Sequence, residues 1–327
     1  MRCSRAVAAF AFCIATAAHG EELKVISAAI LYETGQAAPS VGLQSVAEDG
    51  AVWRAGINGW TFNIDRERPV ERGRRITFGI TATPYGAHGS RRMYRDGARD
   101  RTLEFDDVSF AAHAGMRFRQ GEHASLEPAL VIGKEWIGGD AAAALRDAWR
   151  SPFAGIAVVQ RVRFVTADDP LLARIEGVEI AATAEGYRGT RTWARAAITE
   201  RAGLALGRVH LQQTLAAFDG RGLDRVSAFL AGGSWDALGP FAVFGQRYAE
   251  LRVSRGIIAN GGADVALGRS LEVGIRGSVF RGDGERASGA MLLLTRQVSG
   301  VRIAAGVARS QSRTTLTATV GGALFRR

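Results

Sequence analysis

From Asp107 to Phe118 polar and apolar residues alternate. One parity reads Asp107, Ser109, Ala111, His113, Gly115 and Arg117, and the other reads Val108, Phe110, Ala112, Ala114, Met116 and Phe118. A strand sends successive side chains to opposite faces, so this spacing predicts a strand with one wet face and one apolar face. The pattern recurs. Leu126, Pro128, Leu130 and Ile132 oppose Ser125, Glu127, Ala129 and Gly133, with Val131 as the exception. Val178, Ile180, Ala182 and Ala184 oppose Gly177, Glu179, Ala181 and Thr183. Near the end Leu271, Val273, Ile275 and Val279 oppose Glu272, Gly274, Arg276 and Ser278, and Val301, Ile303, Ala305 and Val307 oppose Arg302, Ala304, Gly306 and Ala308.

Turn-forming clusters are spaced between such segments: Glu48-Asp49-Gly50, Gln120-Gly121-Glu122, Asp219-Gly220-Arg221-Gly222, Asn260-Gly261-Gly262 and Arg281-Gly282-Asp283-Gly284. Phe241 to Ala259 reads as one long strand. After Gly20 no apolar run reaches the length of about 18 residues that a membrane-spanning helix requires. Strands of about ten residues with alternating polarity cross a bilayer in another way, as a closed barrel whose apolar parity meets lipid. A soluble sandwich also alternates. Against it stand the wet face, at once small and charged, and the length of the segments.

The first twenty residues follow a different rule. Arg2 and Arg5 precede an apolar stretch from Ala6 to Ala18, broken only by Thr16, and Ala18-His19-Gly20 offers small residues where a signal peptidase reads. This order is that of a secretory signal peptide. Residues 1–20 are therefore expected to be removed and residues 21–327 to form a single barrel domain. Both cysteines, Cys3 and Cys13, fall in the removed part, so the exported chain has neither a disulfide framework nor a cysteine zinc site. Removal of the two arginines takes the net charge from +10 to +8. Charged residues make up 23% of the chain and hydrophobic ones 47%, a balance that excludes general disorder.

With the export signal and this pattern, the chain resembles bacterial outer-membrane β-barrel proteins of the porin-like kind across nearly all of residues 21–327. The resemblance implies an all-β fold, an antiparallel transmembrane β-barrel in the Gram-negative outer membrane. It also implies contact with outer-membrane lipids and help from the barrel-assembly machinery during biogenesis.

Sixteen segments between Leu23 and Phe325 are candidate strands. Accepting all of them places the two longest connections, Tyr85–Arg101 and Ile137–Phe153, on the periplasmic side, where turns are short. Dropping Ser40–Ala47 and one short segment between Arg221 and Pro240 moves both outside. The expectation is thus about 14 strands, within a range of 12 to 16. The first long loop carries Arg91, Arg92, Arg95, Arg99 and Arg101, suited to anionic lipid phosphates or simply to solvent. The second, with Asp140 capping a run of alanines before Trp149, predicts a short helix that either plugs the lumen or forms an outer lid. Trp53, Trp60, Tyr85, Trp136, Tyr187, Trp193 and Trp235 lie near proposed strand ends, as in an interfacial aromatic girdle.

If the apolar parity faces lipid, the other lines the lumen. It holds Arg117, Glu127, Arg161, Arg163, Glu179, Arg191, Arg195, Arg208, Glu272, Arg276 and Arg302, eight arginines against three glutamates. An arginine aimed at the bilayer midplane costs about 2–4 kcal/mol, which ties these residues to the interior. A wet arginine-rich wall favours anions, small or polymeric, and the expected function is a pore or export channel for such solutes. The alternatives are a sealed structural or surface-interaction barrel whose arginines pair with Glu127, Glu179 and Glu272, and an envelope enzyme acting on lipids. For the enzyme there is little chemistry. Ser109 and His113 share a face but stand ~13 Å apart along a strand. Pairing across the Gln120-Gly121 turn is expected to bring Glu127 beside His113, without a serine. No catalytic residue, metal ligand set, cofactor or nucleic-acid motif emerges, and the chain is read as a non-enzyme.

Overall fold

The computed structural model describes residues 24–33, 36–58, 61–84, 94–95, 98–99, 106–138, 152–169, 174–189, 191–223, 228–233, 241–247, 250–299, 301–311 and 313–322. The expected signal peptide, the helix predicted after Asp140, and Trp60, Tyr85 and Trp235 lie outside them.

Strands β1 (Lys24–Glu33), β2 (Gln36–Val46), β3 (Val52–Asn58), β4 (Thr61–Glu71) and β5 (Arg74–Pro84) come first. A short hairpin, β6 (Tyr94–Arg95) and β7 (Ala98–Arg99), sits in the following connection, and β8 (Asp106–Gln120), β9 (Ala124–Gly138) and β10 (Phe153–Asp169) resume the sheet. Next are β11 (Arg174–Arg188), β12 (Thr192–Leu206) and β13 (Val209–Arg221), then a second short pair, β14 (Phe229–Ala231) and β15 (Leu251–Val253). The chain closes with β16 (Arg255–Ala266), β17 (Leu271–Gly282), β18 (Glu285–Val298), β19 (Val301–Ser310) and β20 (Thr314–Gly322). Leaving out the two short pairs, sixteen strands form one closed antiparallel barrel in sequence order, and β20 pairs with β1 from Ala28↔Gly322 to Glu33↔Thr317. Closure matters because an open sheet edge would leave unpaired N–H and C=O groups in hydrocarbon.

The count is sixteen where about fourteen was expected. Ser40–Ala47 is not a spurious segment: Ser40–Val46 is most of β2, laddered to β1 on one side and β3 on the other. The short segment discarded from 221–240 does stand outside the ring, since Phe229–Ala231 pairs only with Leu251–Val253. Five strands, an odd number, precede residue 85, so all long connections fall at one end without any strand being dropped. The ends of β5, β9 and β13, from which these connections leave, share that loop end. The start of β1, the end of β20 and the tight turns at Arg72-Gly73, Gly121–His123 and Gly207-Arg208 share the other, the turn end.

Two pattern readings are corrected. Asn260-Gly261-Gly262 is not a turn but mid-strand in β16, where Gly261 pairs with Gly277 and Gly262 leaves room for the Arg276 side chain. Phe241–Ala259 is not one strand, because β16 begins only at Arg255.

The apolar parity faces out everywhere it was legible. Leu130, Ile132, Ile257 and Ile275 are each more than 60% exposed, while Asp264, Arg276, Ser278 and Thr319 are at most 3% exposed. A water-soluble protein has the opposite distribution. An apolar belt surrounding a polar interior is the arrangement that hydrocarbon requires.

Candidate transport lumen

Nine of the eleven predicted lumen residues point inward from barrel strands: Arg117, Glu127, Arg161, Arg163, Glu179, Arg195, Glu272, Arg276 and Arg302. Arg191 and Arg208 do not. Arg191 lies in the connection after β11, and Arg208 is half of the turn joining β12 to β13. Strand parity was extended past the strand ends, where it has no meaning.

The inward charges are largely paired. At the turn end, Glu67 on β4 is met by Arg54 of β3 at 2.5 Å, by Arg75 of β5 at 3.5 Å and by Arg117 of β8, which also bonds Glu127 at 2.7 Å. Arg163 bridges Asp168 at 2.5 Å and Glu179 at 3.1 Å. Further round, Asp264 is shared by Arg174 and Arg276, and Arg195 pairs with Glu185. Pairing lowers the cost of desolvating these groups. The sequence reading missed Glu67, Asp264 and Glu185, which lie on the inward parity of their strands, and Arg174, which shares the parity of outward Val178 and Ile180 but precedes the Gly177 bulge.

Next to the Glu67 cluster is a cavity of about 630 Å³, bordered by Arg54, Arg74, Arg75, Arg117, Arg119, Arg161 and Arg163 and by only three glutamates, Glu67, Glu71 and Glu122. Arg161 carries no ion pair among the described residues. The cavity opens at the turn end, beside Gly73 and Glu122.

The loop end is filled differently. Residues 228–233, 241–247 and 250–253 lie within the barrel, where Phe229, Ala231, Val243 and Val253 pack with Ala216, Phe218, Ile258 and Phe280 of the wall. Ala242 and Phe244 join Met291 and Ala308. Polar wall groups fix the backbone of this segment. Ser278 Oγ accepts from the Phe244 amide at 2.8 Å, Asn260 Nδ2 donates to the Ala242 carbonyl at 3.1 Å, and Ser310 Oγ donates to the Gly245 carbonyl at 3.3 Å. Arg313 holds Glu250 at 2.9 Å. Among the described residues, those packed inward therefore come from the connection between β13 and β16, which the sequence pattern presented partly as a strand because its inward residues are apolar.

His113 does not meet Glu127, since it stands opposite Val131 in the ladder and its Nε2 lies 3.4 Å from Asp65 Oδ1. Among the described residues no group of three or more metal-ligating side chains occurs. Of the expected aromatic girdle, Trp136 is half exposed on the outer face with the Lys134 ammonium 5.2 Å from its ring centroid. Trp53 is packed edge-on against outward Phe78, and Arg66 stacks over both rings at 4.9 and 5.9 Å, so this guanidinium on the outer parity is covered by aromatic faces. Tyr187 and Trp193 turn inward instead and stack on each other 4.4 Å apart, with Arg195 over Trp193.

A closed, sequentially wound, antiparallel barrel with an apolar exterior and a charged interior defines a β-barrel of the outer-membrane kind. Solved structures share the fold. BamA from Haemophilus ducreyi lacking POTRA domains 1–3 superposes with a TM-score of 0.65 at 9% identity, over 92% of this chain and 70% of that one. CdiB from Acinetobacter baumannii gives 0.62 at 10% identity over 92% and 59%, and CdiB from Escherichia coli gives 0.59 at 9% identity over 92% and 67%. The chain thus spans about three fifths to seven tenths of their lengths. No family model matches the chain, and no curated protein matches it.

Proposed function

We propose that the protein is an outer-membrane pore or export channel, a conduit rather than an enzyme, and that its lumen favours anionic solutes. The turn end then faces the periplasm and the loop end the exterior, in keeping with short periplasmic and longer outer connections. The supporting observation is the arginine-bordered vestibule of about 630 Å³ at the periplasmic end. Its fixed positive charge, concentrated at Arg161, lowers the barrier for an entering anion and raises it for a cation. The shared fold with BamA and CdiB supports a barrel that handles solute or polymer. Reversal potentials in planar bilayers under a potassium chloride gradient test the reading. Chloride preference is expected, with a shift toward potassium in Arg161→Glu; absence of conductance from folded, inserted protein would overturn it.

One set of observations favours a second reading, a sealed barrel whose outer loops make the contacts. Phe229, Ala231, Val243 and Val253 pack against the inner wall, and most inward arginines among the described residues are neutralised by carboxylates. The same recordings separate the two.

A further inference from the structure

Strands β10 and β11 continue beyond the barrel wall. The ladder of β10 with β9 ends at Val162↔Ala124, and that of β11 with β12 begins at Gly177↔Gly203. The two strands go on pairing with each other through Ala167↔Glu176, Asp168↔Ile175 and Asp169↔Arg174. Residues 163–165 still pair with residues 177–179 of the wall, and residues 166–169 and 174–176 are therefore a two-stranded arm outside both flanking ladders. At its base the register slips between Val165 and Ala167, opposite Gly177, whose φ of 115° suits glycine alone and whose missing Cβ makes way for the Phe164 carbonyl. A bulge of this kind bends the strand that carries it.

The arm bends inward. Its Ile175 carbonyl lies 3.2 Å from His210 Nε2 on β13 and sits against Gly203 of β12, where a Cβ would collide with it. Arg174 reaches Glu272 on β17 at 2.7 Å and Asp264 on β16 at 3.1 Å. Asp169 pairs with Arg302 of β19, seven strands round the ring from β10. Sixteen tilted strands ~4.8 Å apart make a ring roughly 30 Å across between backbones. The arm thus lies over the inner faces of β12 and β13 and ties its own side of the mouth to the opposite one. A hairpin that only connected two strands would have no reason to leave the wall, and Ile175 would not be 2% exposed at a turn end.

We infer that this arm is a strap across the periplasmic mouth, hinged at the Gly177 bulge and latched by the Asp169–Arg302 ion pair, with Arg174 as its inner anchor. The latch side chains are 29% and 19% exposed, more open to solvent than Arg174 at 11%, so of the two ties it is the outer one. With both ties released, the arm swings about the bulge and uncovers the lumen. The inference rests on the reading of the lumen as a conduit.

From residue 21 onward the chain contains no cysteine, so a thiol cross-link is clean. Because an arginine–aspartate pair reaches through a long side chain, beyond the span of a disulfide, the variant Asp169→Cys with Arg302→Cys is bridged by a reducible bismaleimide and recorded in planar bilayers before and after reduction. The bridge is expected to cut conductance at least tenfold and to release it on reduction, while Arg302→Ala with Arg174→Gln conducts more than wild type. A separate readout does not depend on conduction. Thr199→Cys, on the inner face of β12, is labelled by a bulky maleimide added from the periplasmic side, alone and with Arg302→Ala and Arg174→Gln. Faster labelling with both ties removed but no conductance in any variant would leave the strap standing and defeat the pore. No bridge under conditions that label each cysteine singly, or equal labelling with the ties intact and removed, would overturn the strap.

Discussion

Glu67 is 4% exposed, and three guanidinium groups, from Arg54, Arg75 and Arg117, converge on it from three neighbouring strands. One carboxylate thus holds three like charges at the vestibule wall, and removing it leaves them to repel one another. The Glu67→Gln change is expected to destabilise the barrel by about 2 kcal/mol, since the carboxylate is buried but its partners are partly solvated. Urea unfolding in vesicles measures this, with Glu71→Gln, whose partner Arg74 is well exposed, as the near-silent comparison. On the other face, Leu130 is 65% exposed in the middle of β9. Leu130→Arg is expected to cost about 2–4 kcal/mol in the same assay, because the charge enters hydrocarbon. An unchanged midpoint would show that this face meets water.

At the scale of the element, residues 228–233 and 241–247 carry the main departure from pattern. A plug packed on an inner wall is as apolar as a strand facing lipid, so Phe241, Val243 and Phe244 read as strand although they bury in the barrel. What distinguishes them is a tertiary fact, the polar side chains Ser278, Asn260 and Ser310 waiting on the wall for their backbone groups. The regular strands were legible because parity is local: Val108, Leu130, Val178, Ile275 and Val301 were assigned outward from sequence and are exposed. Arg191 and Arg208 were misplaced because parity stops at a turn, and the β10–β11 arm was invisible because its direction depends on one bulge. Removing the plug's anchors tests its role. The double change Ser278→Ala with Asn260→Ala is expected to loosen residues 242–244, read as faster amide exchange there and a larger, noisier single-channel current. Unchanged exchange would show that the apolar contacts hold the segment alone.

For the whole molecule, sixteen strands close a ring whose apolar exterior and ion-paired interior suit a bilayer. The fold class and nine of eleven inner residues followed from the alternation of polarity, whereas the strand number depended on which weak segments pair. Ring closure, the plug at one end and the arm at the other are long-range arrangements that no window of ten residues encodes. The most direct measurement is a nitroxide scan along residues 126–132 of β9 in vesicles, comparing collision with oxygen, which partitions into lipid, and with a water-soluble nickel chelate. Labels at 126, 128, 130 and 132 are predicted to meet oxygen, and those at 127, 129 and 131 the chelate. The opposite phase, or a folded protein that stays in solution without detergent or lipid, would contradict it.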